Sequence, residues 1–245
     1  MKIAVCVPCH VTHVCYLQDL LRSIDCQTVK PDIVSISISQ WSGDTPVLEC
    51  SVPIELHCTD KTLPAADNRN IAASGVLERV DVLSFIDADD IMHPRRIELI
   101  LACMNRDSVD AVYHSYVVWN HMTPIPDVPA TGYLQHGQWR IRPSNDPDLT
   151  ARAEFIVRHG LGLHPFPIHA AHGSVRTHVF RSIQFPLGRR RSDDSEYILQ
   201  LHESGRKIAI LRDRLTYFRM GATTLTCSDA SSSQSLQLQT NPSSQ

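Results

Sequence analysis

Several features are missing from this 245-residue sequence. No apolar run approaches the roughly 20 residues that cross a membrane. The only Asn-x-Ser triplet begins Asn241-Pro242, and the central proline prevents glycosylation. The net charge is −3, and the one basic cluster, Arg189–Arg191, is short, so the basic surface of a nucleic-acid-binding protein is absent. The composition therefore gives no indication of a membrane-spanning or nucleic-acid-binding protein.

A disulfide framework is also missing, because the eight cysteines are scattered and several lie in apolar segments. We expect free thiols in a reducing compartment, and the absence of a signal-peptide pattern predicts a cytoplasmic protein. Cys6–His10 matches the C-x-x-C-H haem-attachment pattern, but Cys6 falls within a predicted strand and no export signal accompanies it. A zinc cluster that adds His13 and Cys15 lacks a second Cys/His pair at zinc-finger spacing.

Short apolar runs alternate with helical patterns along most of the chain. The order strand, helix, strand, strand, helix, strand predicts an α/β fold, a doubly wound, mainly parallel mixed sheet flanked by helices in a single domain. The predicted strands are Lys2–Val7, Ile33–Ser39, Ile54–Cys58, Val82–Ile86, Ala111–Trp119, Lys207–Leu211 and Leu215–Phe218. The predicted helices are Val14–Cys26, Pro64 to about Arg79, Arg95–Leu101 and a segment from Asp193 to a stop at Gly205.

The segment Val80–Arg96, VDVLSFIDADDIMHPRR, is the feature around which the chain is organised. A buried strand ends abruptly at Asp87, Asp89 and Asp90, and ligands of open α/β sheets bind at the carboxyl ends of the strands. Asp87 and Asp89 are one residue apart on an extended chain and so point to opposite sides. We expect one of them to order the site or contact a ribose, and the other to bind a hard cation such as Mg²⁺.

A second acidic cluster, Asp193-Asp194-Ser195-Glu196, begins a predicted helix. Asp193 and Glu196 have the spacing of a capping box, and Asp194 lies in the first turn, where the helix dipole favours an ionised carboxylate. A positioned, ionised carboxylate of low basicity is suited to act as a general base for a hydroxyl group. Simple capping is the alternative reading for either acid.

Two further stretches lack regular patterning. Asn120–Asp148 carries five prolines together with Tyr133 and Trp139, which could stack on a sugar or an apolar acceptor or form a small core. Ala151–His159 is predicted as a short helix. From Ala222 the composition turns to Ser, Gln and Thr, so we expect a domain over residues 1–221 and a disordered tail or linker over 222–245.

Taken in order, these motifs resemble the GT-A glycosyltransferases of family 2. The stretches that carry the resemblance are AVCVPCH, NRNIAASGV, VLSFIDADDIMHPRRIE, HGSVRTHVF, DDSEYILQLHESGRKIAIL and LTYFRMGATTLT. Each is short and unspecific alone, but together they cover about Lys2 to Thr226 at workable spacing. The resemblance implies a nucleotide-diphosphate sugar donor, with UDP favoured, a glycan or glycoconjugate acceptor, and Mn²⁺ or Mg²⁺.

The resemblance also implies roles for individual residues. Asp89 would bind the metal, and Asp194 would be the base that deprotonates the acceptor hydroxyl in an inverting transfer. Donor contacts would come from Pro8, Cys9, His10, Ser39, Asp60, Arg69, Asp87 and Ala88. Acceptor contacts would come from Tyr133, Trp139, His172 and Asp193. From its local sequence alone, Arg69 reads as an ordinary surface arginine.

The sequence departs from the family pattern at three sites, the smallest change being Asp193 where Glu is usual. Ser39 and Gln40 replace the acidic residues common at the end of the second strand, which leaves the nucleobase open, and Arg219-Met220-Gly221 lacks the histidine ligand common in the closing segment. Two other classes remain: a nucleotidyltransferase, which would want a Gly-rich loop that PCHVTHV lacks, and a non-catalytic nucleotide-sugar-binding module, which would not need Asp194.

Overall fold

The computed structural model describes residues 1–132, 134–135, 168, 170–188 and 193–220. Its strands are β1 Ile3–His10, β2 Ile33–Ser39, β3 Ile54–Cys58, β4 Val82–Phe85, β5 Ile91–Met92, β6 Ala111–Asn120, β7 Leu134–Gln135, β8 Ser174–Arg176 and β9 Ile208–Met220. Its α-helices are α1 Leu17–Asp25, α2 Ala65–Val76, α3 Arg96–Asp107, α4 Thr177–Phe180 and α5 Asp193–Glu203. Short 3₁₀ helices span Val11–Tyr16 and Ala170–His172.

The described strands form one mixed sheet in the order β3-β2-β1-β4-β8-β6-β9-β5, with β7 also paired to β9. Strands β1 to β4 are parallel to one another, β8 runs antiparallel to β4 and β6, and β6 and β9 are parallel. The first half of the chain thus builds a parallel sheet, and the second half extends it through β8. This confirms the predicted α/β fold with a mainly parallel sheet.

Helices cover both faces of the sheet. Along β1, Val5 and Val7 point into a core formed with α1 and α3, whereas Ala4 and Cys6 point into a core formed with α2 and α5. Successive residues of a strand face opposite sides, so a strand that is apolar throughout must be covered twice. All of these β1 side chains are fully buried, and the result is a three-layer helix–sheet–helix domain.

The predicted apolar stripe of the first helix is confirmed. Leu17, Leu20, Leu21 and Ile24 have no exposed surface and pack against the sheet. The helix itself is shorter than predicted, because Val11–Tyr16 winds as a 3₁₀ helix in which no residue is buried. That segment directly follows β1, and within it Val14 packs against the core while remaining partly exposed.

Strand β1 does not end at Pro8 as predicted. It continues to His10 and stays paired with β2 up to the His10–Ser39 register position. Pairing with β4 stops at Cys6, whose carbonyl accepts a hydrogen bond from the Ile86 amide. Residues two apart in a strand direct their backbone groups to the same side, so Pro8 faces the same neighbour as Cys6. β4 no longer pairs with β1 at Pro8, and the missing N–H of the proline therefore breaks no hydrogen bond of the sheet.

The closing segment is one strand, not the two that were predicted. β9 runs from Ile208 to Met220 along β6, and the register shifts where His114 pairs with Leu211 and Ser115 pairs with Arg214. The additional residues of β9 at this point, Arg212 and Asp213, form a bulge, which keeps the strand continuous while the pairing changes.

The bulge also holds neighbouring parts of the chain. The Asp213 carboxylate accepts hydrogen bonds from the backbone N–H groups of Thr131, at 2.5 Å, and Gly132, at 2.9 Å. On the other strand, Ser115 forms an isolated antiparallel bridge with Ile168. Thr131, Gly132 and Ile168 therefore all lie next to the same irregularity of the sheet.

Some expectations fall outside the described residues: Tyr133, Trp139, the Ala151–His159 helix and the 222–245 tail. Among the described residues, no helix is long and apolar enough to cross a membrane. The seven cysteines in the described part are free thiols, and Cys6 and Cys9 are buried, which argues against haem attachment through the C-x-x-C-H sequence.

Close backbone packing at Gly173 gives a stability prediction. A Cβ atom there would lie 2.5 Å from Cζ of Tyr113, whose ring is fully buried, so Gly173→Ala should destabilise the fold by about 1–3 kcal/mol. Gly43→Ala is the matched control, since its Cβ would meet nothing closer than the Trp41 ring at 3.6 Å. Urea unfolding of both variants measures the difference, and equal stabilities would contradict the packing argument.

Candidate functional site

The carboxyl ends of β1, β2, β3 and β4 meet at one edge of the sheet and bring most predicted site residues together. His10 pairs with Ser39 at this edge. The amides of Gln40 and Trp41 donate hydrogen bonds to the carbonyls of Lys61 and Thr59, so the loop that carries the exposed Asp60 lies beside the end of β2. The predicted nucleoside contacts therefore lie together at this edge.

Ser39 is buried in a hydrogen-bonded network below this edge. Its hydroxyl accepts a bond of 2.9 Å from the Asn68 side-chain amide, whose oxygen in turn accepts one from Ser37, also 2.9 Å long. The same Asn68 amide donates to the Cys9 carbonyl at 3.3 Å. Asn68 thus ties the start of α2 to both β1 and β2, and it leaves Ser39 with no exposed surface.

The residue after Ser39 is the one that reaches the surface. Gln40 is exposed and adopts a left-handed backbone conformation with φ of 59°. Its side-chain oxygen lies 2.7 Å from Nε2 of His10. The His10–Gln40 pair therefore occupies the end of β2, the place at which the family pattern often has acidic residues and this sequence has none.

The acidic turn, Asp87–Asp90, follows β4 and is closed by a hydrogen bond from the Asp90 amide to the Asp87 carbonyl. The predicted divergence of Asp87 and Asp89 is confirmed. Asp87 meets Arg69 and lies 3.7 Å from His172, whereas Asp89 lies 3.9 Å from Nδ1 of His13. Ala88 between them is buried.

Arg69 is a buried clamp and not the surface arginine suggested by its local sequence. It is 4% exposed, its Nη2 lies 2.7 Å from Asp87, and its Nη1 lies 2.6 Å from Asp193. Burial alone would lower its pKa, but Asp87 and Asp193 outweigh that effect and raise it. A permanently charged guanidinium thus joins the acidic turn to the first turn of α5.

Beneath the turn lies a buried pair that sequence reasoning did not foresee. Nε2 of His172 lies 3.0 Å from Asp90, and both side chains are almost fully buried. Burial favours the neutral imidazole, but the bonds with Asp87 and Asp90 outweigh it, so the pKa of His172 is raised. With no exposed surface in this structure, His172 supports the turn from below and does not present the acceptor contact expected of it.

Arg96, the first residue of α3, lies below the same pair without any exposed surface. It donates to the backbone carbonyls of Phe85, at 2.6 Å, and His172, at 3.2 Å, and to the Thr216 hydroxyl. Burial lowers its pKa to about 9, an effect that Asp90 and Asp87 oppose, so it remains a cation at neutral pH. It balances part of the negative charge of the acidic turn.

Asp87, Asp90 and His172 could hold a metal ion. One ligand atom from each lies within 4.8 Å of the others, which the described residues show for no other His, Cys, Asp or Glu group. Two carboxylates and an imidazole suit Mn²⁺. The carboxylates also repel one another: burial, then Asp90 and Asp87, raise the pKa of Asp89 to about 6. A divalent cation would relieve this repulsion, so the residues fit such a group.

Asp194 lies in the first turn of α5, and one of its carboxylate oxygens accepts the Ser195 amide at 2.7 Å. We expected low basicity from the helix dipole. The structure differs, because burial raises the pKa of Asp194. Arg69 lowers this pKa in part, and the charge of Asp193 raises it further. The neighbouring Asp193 is buried against Arg69, an ion pair where we had expected a capping box or an acceptor contact.

No family model and no curated protein matches the sequence. Solved structures do: S. aureus TarS 1–349 in complex with UDP has a TM-score of 0.59 at 14% identity over 90% of this chain. TarS 1–349 in complex with UDP-GlcNAc has a TM-score of 0.59 at 13% identity over 90% of this chain. A mycobacterial protein has a TM-score of 0.56 at 18% identity over 89% of this chain. The chain spans 61% of the TarS structure with UDP, 59% of that with UDP-GlcNAc and 67% of the mycobacterial protein. These likenesses confirm the GT-A-like fold.

The raised pKa of Asp89 predicts a pH-dependent effect of Asp89→Asn on stability. The pKa of this carboxyl is about 6 in the folded protein and near 4 in the unfolded chain. Its ionised form is therefore less favourable in the folded protein than in the unfolded chain. Above pH 6 its charge costs the folded protein about 2–3 kcal/mol. Asp89→Asn should therefore stabilise the metal-free protein at pH 7.5, and the gain should shrink through pH 6 and vanish near pH 4.

Urea unfolding in EDTA at several pH values measures this gain. Asp81→Asn, at the exposed amino end of the same strand, is the control and should show no such pH dependence. A gain for Asp89→Asn that stays constant from pH 4 to 7.5 would refute the prediction.

Proposed function

We propose that the protein is a metal-dependent inverting glycosyltransferase that uses a nucleotide-diphosphate sugar. The observation that carries the proposal is the Arg69 clamp, which brings the acidic turn and the Asp193–Asp194 helix start to one edge of the sheet. A donor-binding segment and a candidate base then lie within reach of a common substrate. The GT-A-like fold supports the proposal, since its ligands bind at this edge.

We assign the donor to the carboxyl ends of β1 to β4. The exposed His10–Gln40 pair and the loop at Asp60 would contact the nucleoside, and Asp87 would face the ribose. A uridine donor is favoured because the TarS structures of the same fold contain UDP and UDP-GlcNAc. The amide of Gln40 offers both a donor and an acceptor, which suits the edge of a base.

Asp89 is our candidate for the metal ligand that also faces the donor phosphates. Its side chain is 12% exposed, whereas Asp90 below it is almost completely buried. Mg²⁺ and Mn²⁺ sites commonly use one or two carboxylates with phosphate oxygens and water. When bound, the cation would neutralise charge on the leaving diphosphate. Asp87, Asp90 and His172 offer a second set of ligands behind it.

Asp194 would take the proton of the acceptor hydroxyl. Its raised pKa makes it a stronger base than an exposed aspartate, and Arg69 limits the rise so that an ionised form is retained. Attack on the anomeric carbon from the face opposite the diphosphate inverts its configuration. Holding the two substrates in line supplies further acceleration. The acceptor would be a hydroxyl of a glycan or glycoconjugate.

The donor assignment is tested by melting the protein with UDP or UDP-sugars, with and without Mn²⁺. A ligand at 100 times its Kd stabilises the folded state by about 2.7 kcal/mol, so the wild type should melt several degrees higher when both are present. Asp89→Ala should lose the Mn²⁺-dependent part of this shift, and Asp81→Ala should keep it. Absence of any shift with every nucleotide diphosphate would contradict the proposal.

The base assignment is tested with Asp194→Asn, which is nearly isosteric and cannot accept the proton. The variant should keep the nucleotide-dependent shift in melting temperature and lose sugar transfer by about 10²-fold or more. Transfer is measured as UDP release with an acceptor panel, and donor hydrolysis without acceptor is subtracted. A variant that still transfers sugar at the wild-type rate would rule out Asp194 as the base. Loss of binding as well would favour a binding module.

A further inference from the structure

Arg219, near the end of β9, contacts two successive residues of the acidic turn. Its backbone N–H donates to Oδ1 of Asp90 at 2.8 Å, and its Nε donates to the backbone carbonyl of Asp89 at 2.7 Å. The partners are about 130 positions apart, so only the folded sheet brings them together. β9 thus holds Asp89 and Asp90, whereas Arg69 holds Asp87.

The remaining surface of the Arg219 side chain is also engaged. Its Nη2 lies 3.1 Å from Oδ2 of Asp19 in α1, and its guanidinium carbon lies 4.6 Å from the ring centre of Tyr16 and 5.0 Å from that of Trp119. Contacts between a guanidinium and aromatic rings are favourable and are strongest away from water. Arg219 is 5% exposed, so these contacts restrict it to one orientation.

An arginine cannot ligate a cation, because its guanidinium stays protonated and offers no acceptor atom. Arg219 must therefore contribute to a cation site in a way other than ligation. The contacts supply one: the side chain acts on the backbone of Asp89, and the main chain acts on the carboxylate of Asp90. Any effect on a bound cation must pass through the geometry of the acidic turn.

We propose that Arg219 is a positioning residue that fixes the acidic turn for cation and donor binding. This rests on the glycosyltransferase function proposed above. The bond to the Asp89 carbonyl sets the direction in which the Asp89 carboxylate leaves the turn. The hydrogen bond from the Arg219 backbone N–H to Asp90 keeps the Asp90 carboxylate beside His172. The Arg219 side chain also contacts Asp19 in α1 and Tyr16 in the preceding 3₁₀ helix, so it links the acidic turn to these two elements.

The test compares Arg219→Gln and Arg219→Lys with Arg22→Gln. Arg22 is the matched control, because it also contacts Asp19, at 3.4 Å, but its side chain is 71% exposed. Two quantities are measured: hydrogen exchange of peptides covering residues 86–92 in the metal-free protein, and UDP affinity by calorimetry with and without Mn²⁺. The ratio of the two affinities reports the contribution of the cation to UDP binding. A general loosening of the fold would weaken both affinities and leave their ratio unchanged.

For Arg219→Gln we expect exchange in residues 86–92 to accelerate about tenfold and the Mn²⁺-dependent gain in UDP affinity to fall about tenfold. Arg219→Lys keeps the charge but cannot bridge Asp89 and Asp19 together, so it should be intermediate, and Arg22→Gln should match the wild type. A folded Arg219→Gln protein with wild-type exchange and a wild-type affinity ratio would overturn the proposal.

Failure of the two proposals can be told apart. If the wild type binds no UDP, the proposed function fails, and the exchange comparison alone then decides the role of Arg219. If Arg219→Gln does not fold, Asp19→Ala takes its place, since it removes one contact of the guanidinium from a partly exposed position. It should accelerate exchange in residues 86–92 about threefold, and unchanged exchange would overturn the proposal.

Discussion

The geometry of the site depends on one buried cation, Arg69, held between two carboxylates from distant parts of the chain. Asp87 follows β4 in the parallel part of the sheet, and Asp193 begins α5, which comes after the antiparallel strand β8 in the chain. Removing one partner from a buried ion pair is far more costly than the pair is stabilising, because an uncompensated charge remains. The relative position of the two acidic segments is therefore determined by a third element, α2.

The pattern of the sequence predicted the parts of the fold that obey simple periodicity. The apolar runs of β1, β2 and β4 and the stripe from Leu17 to Ile24 identified both the sheet and its first helix, because burial of each fixes the spacing of apolar residues. The site edge followed from the same reasoning, since strand ends that carry polar residues meet at one side of a parallel sheet. His10, Asp60 and Asp87 were found there as expected.

What the sequence could not reveal were partners that only the tertiary fold brings together. Nothing local distinguishes Arg69 and Arg96 from surface arginines, yet both are buried because carboxylates and backbone carbonyls from other elements surround them. His172 was expected to contact the acceptor, because nothing in its own stretch points to the turn it supports, which lies more than 80 positions away. The predicted end of β1 at Pro8 was wrong, because a proline ends a strand only where the neighbouring strand would accept a hydrogen bond from its backbone N–H.

The bulge at Arg212–Asp213 anchors both ends of the segment between Gly132 and Ile168. Asp213 accepts hydrogen bonds from Thr131 and Gly132, and Ser115 on the paired strand forms a bridge with Ile168. The entropy cost of closing a loop grows only with the logarithm of its length once its ends are fixed. A change in the length of the intervening segment therefore costs little conformational entropy, as long as the two anchors beside the bulge stay in place.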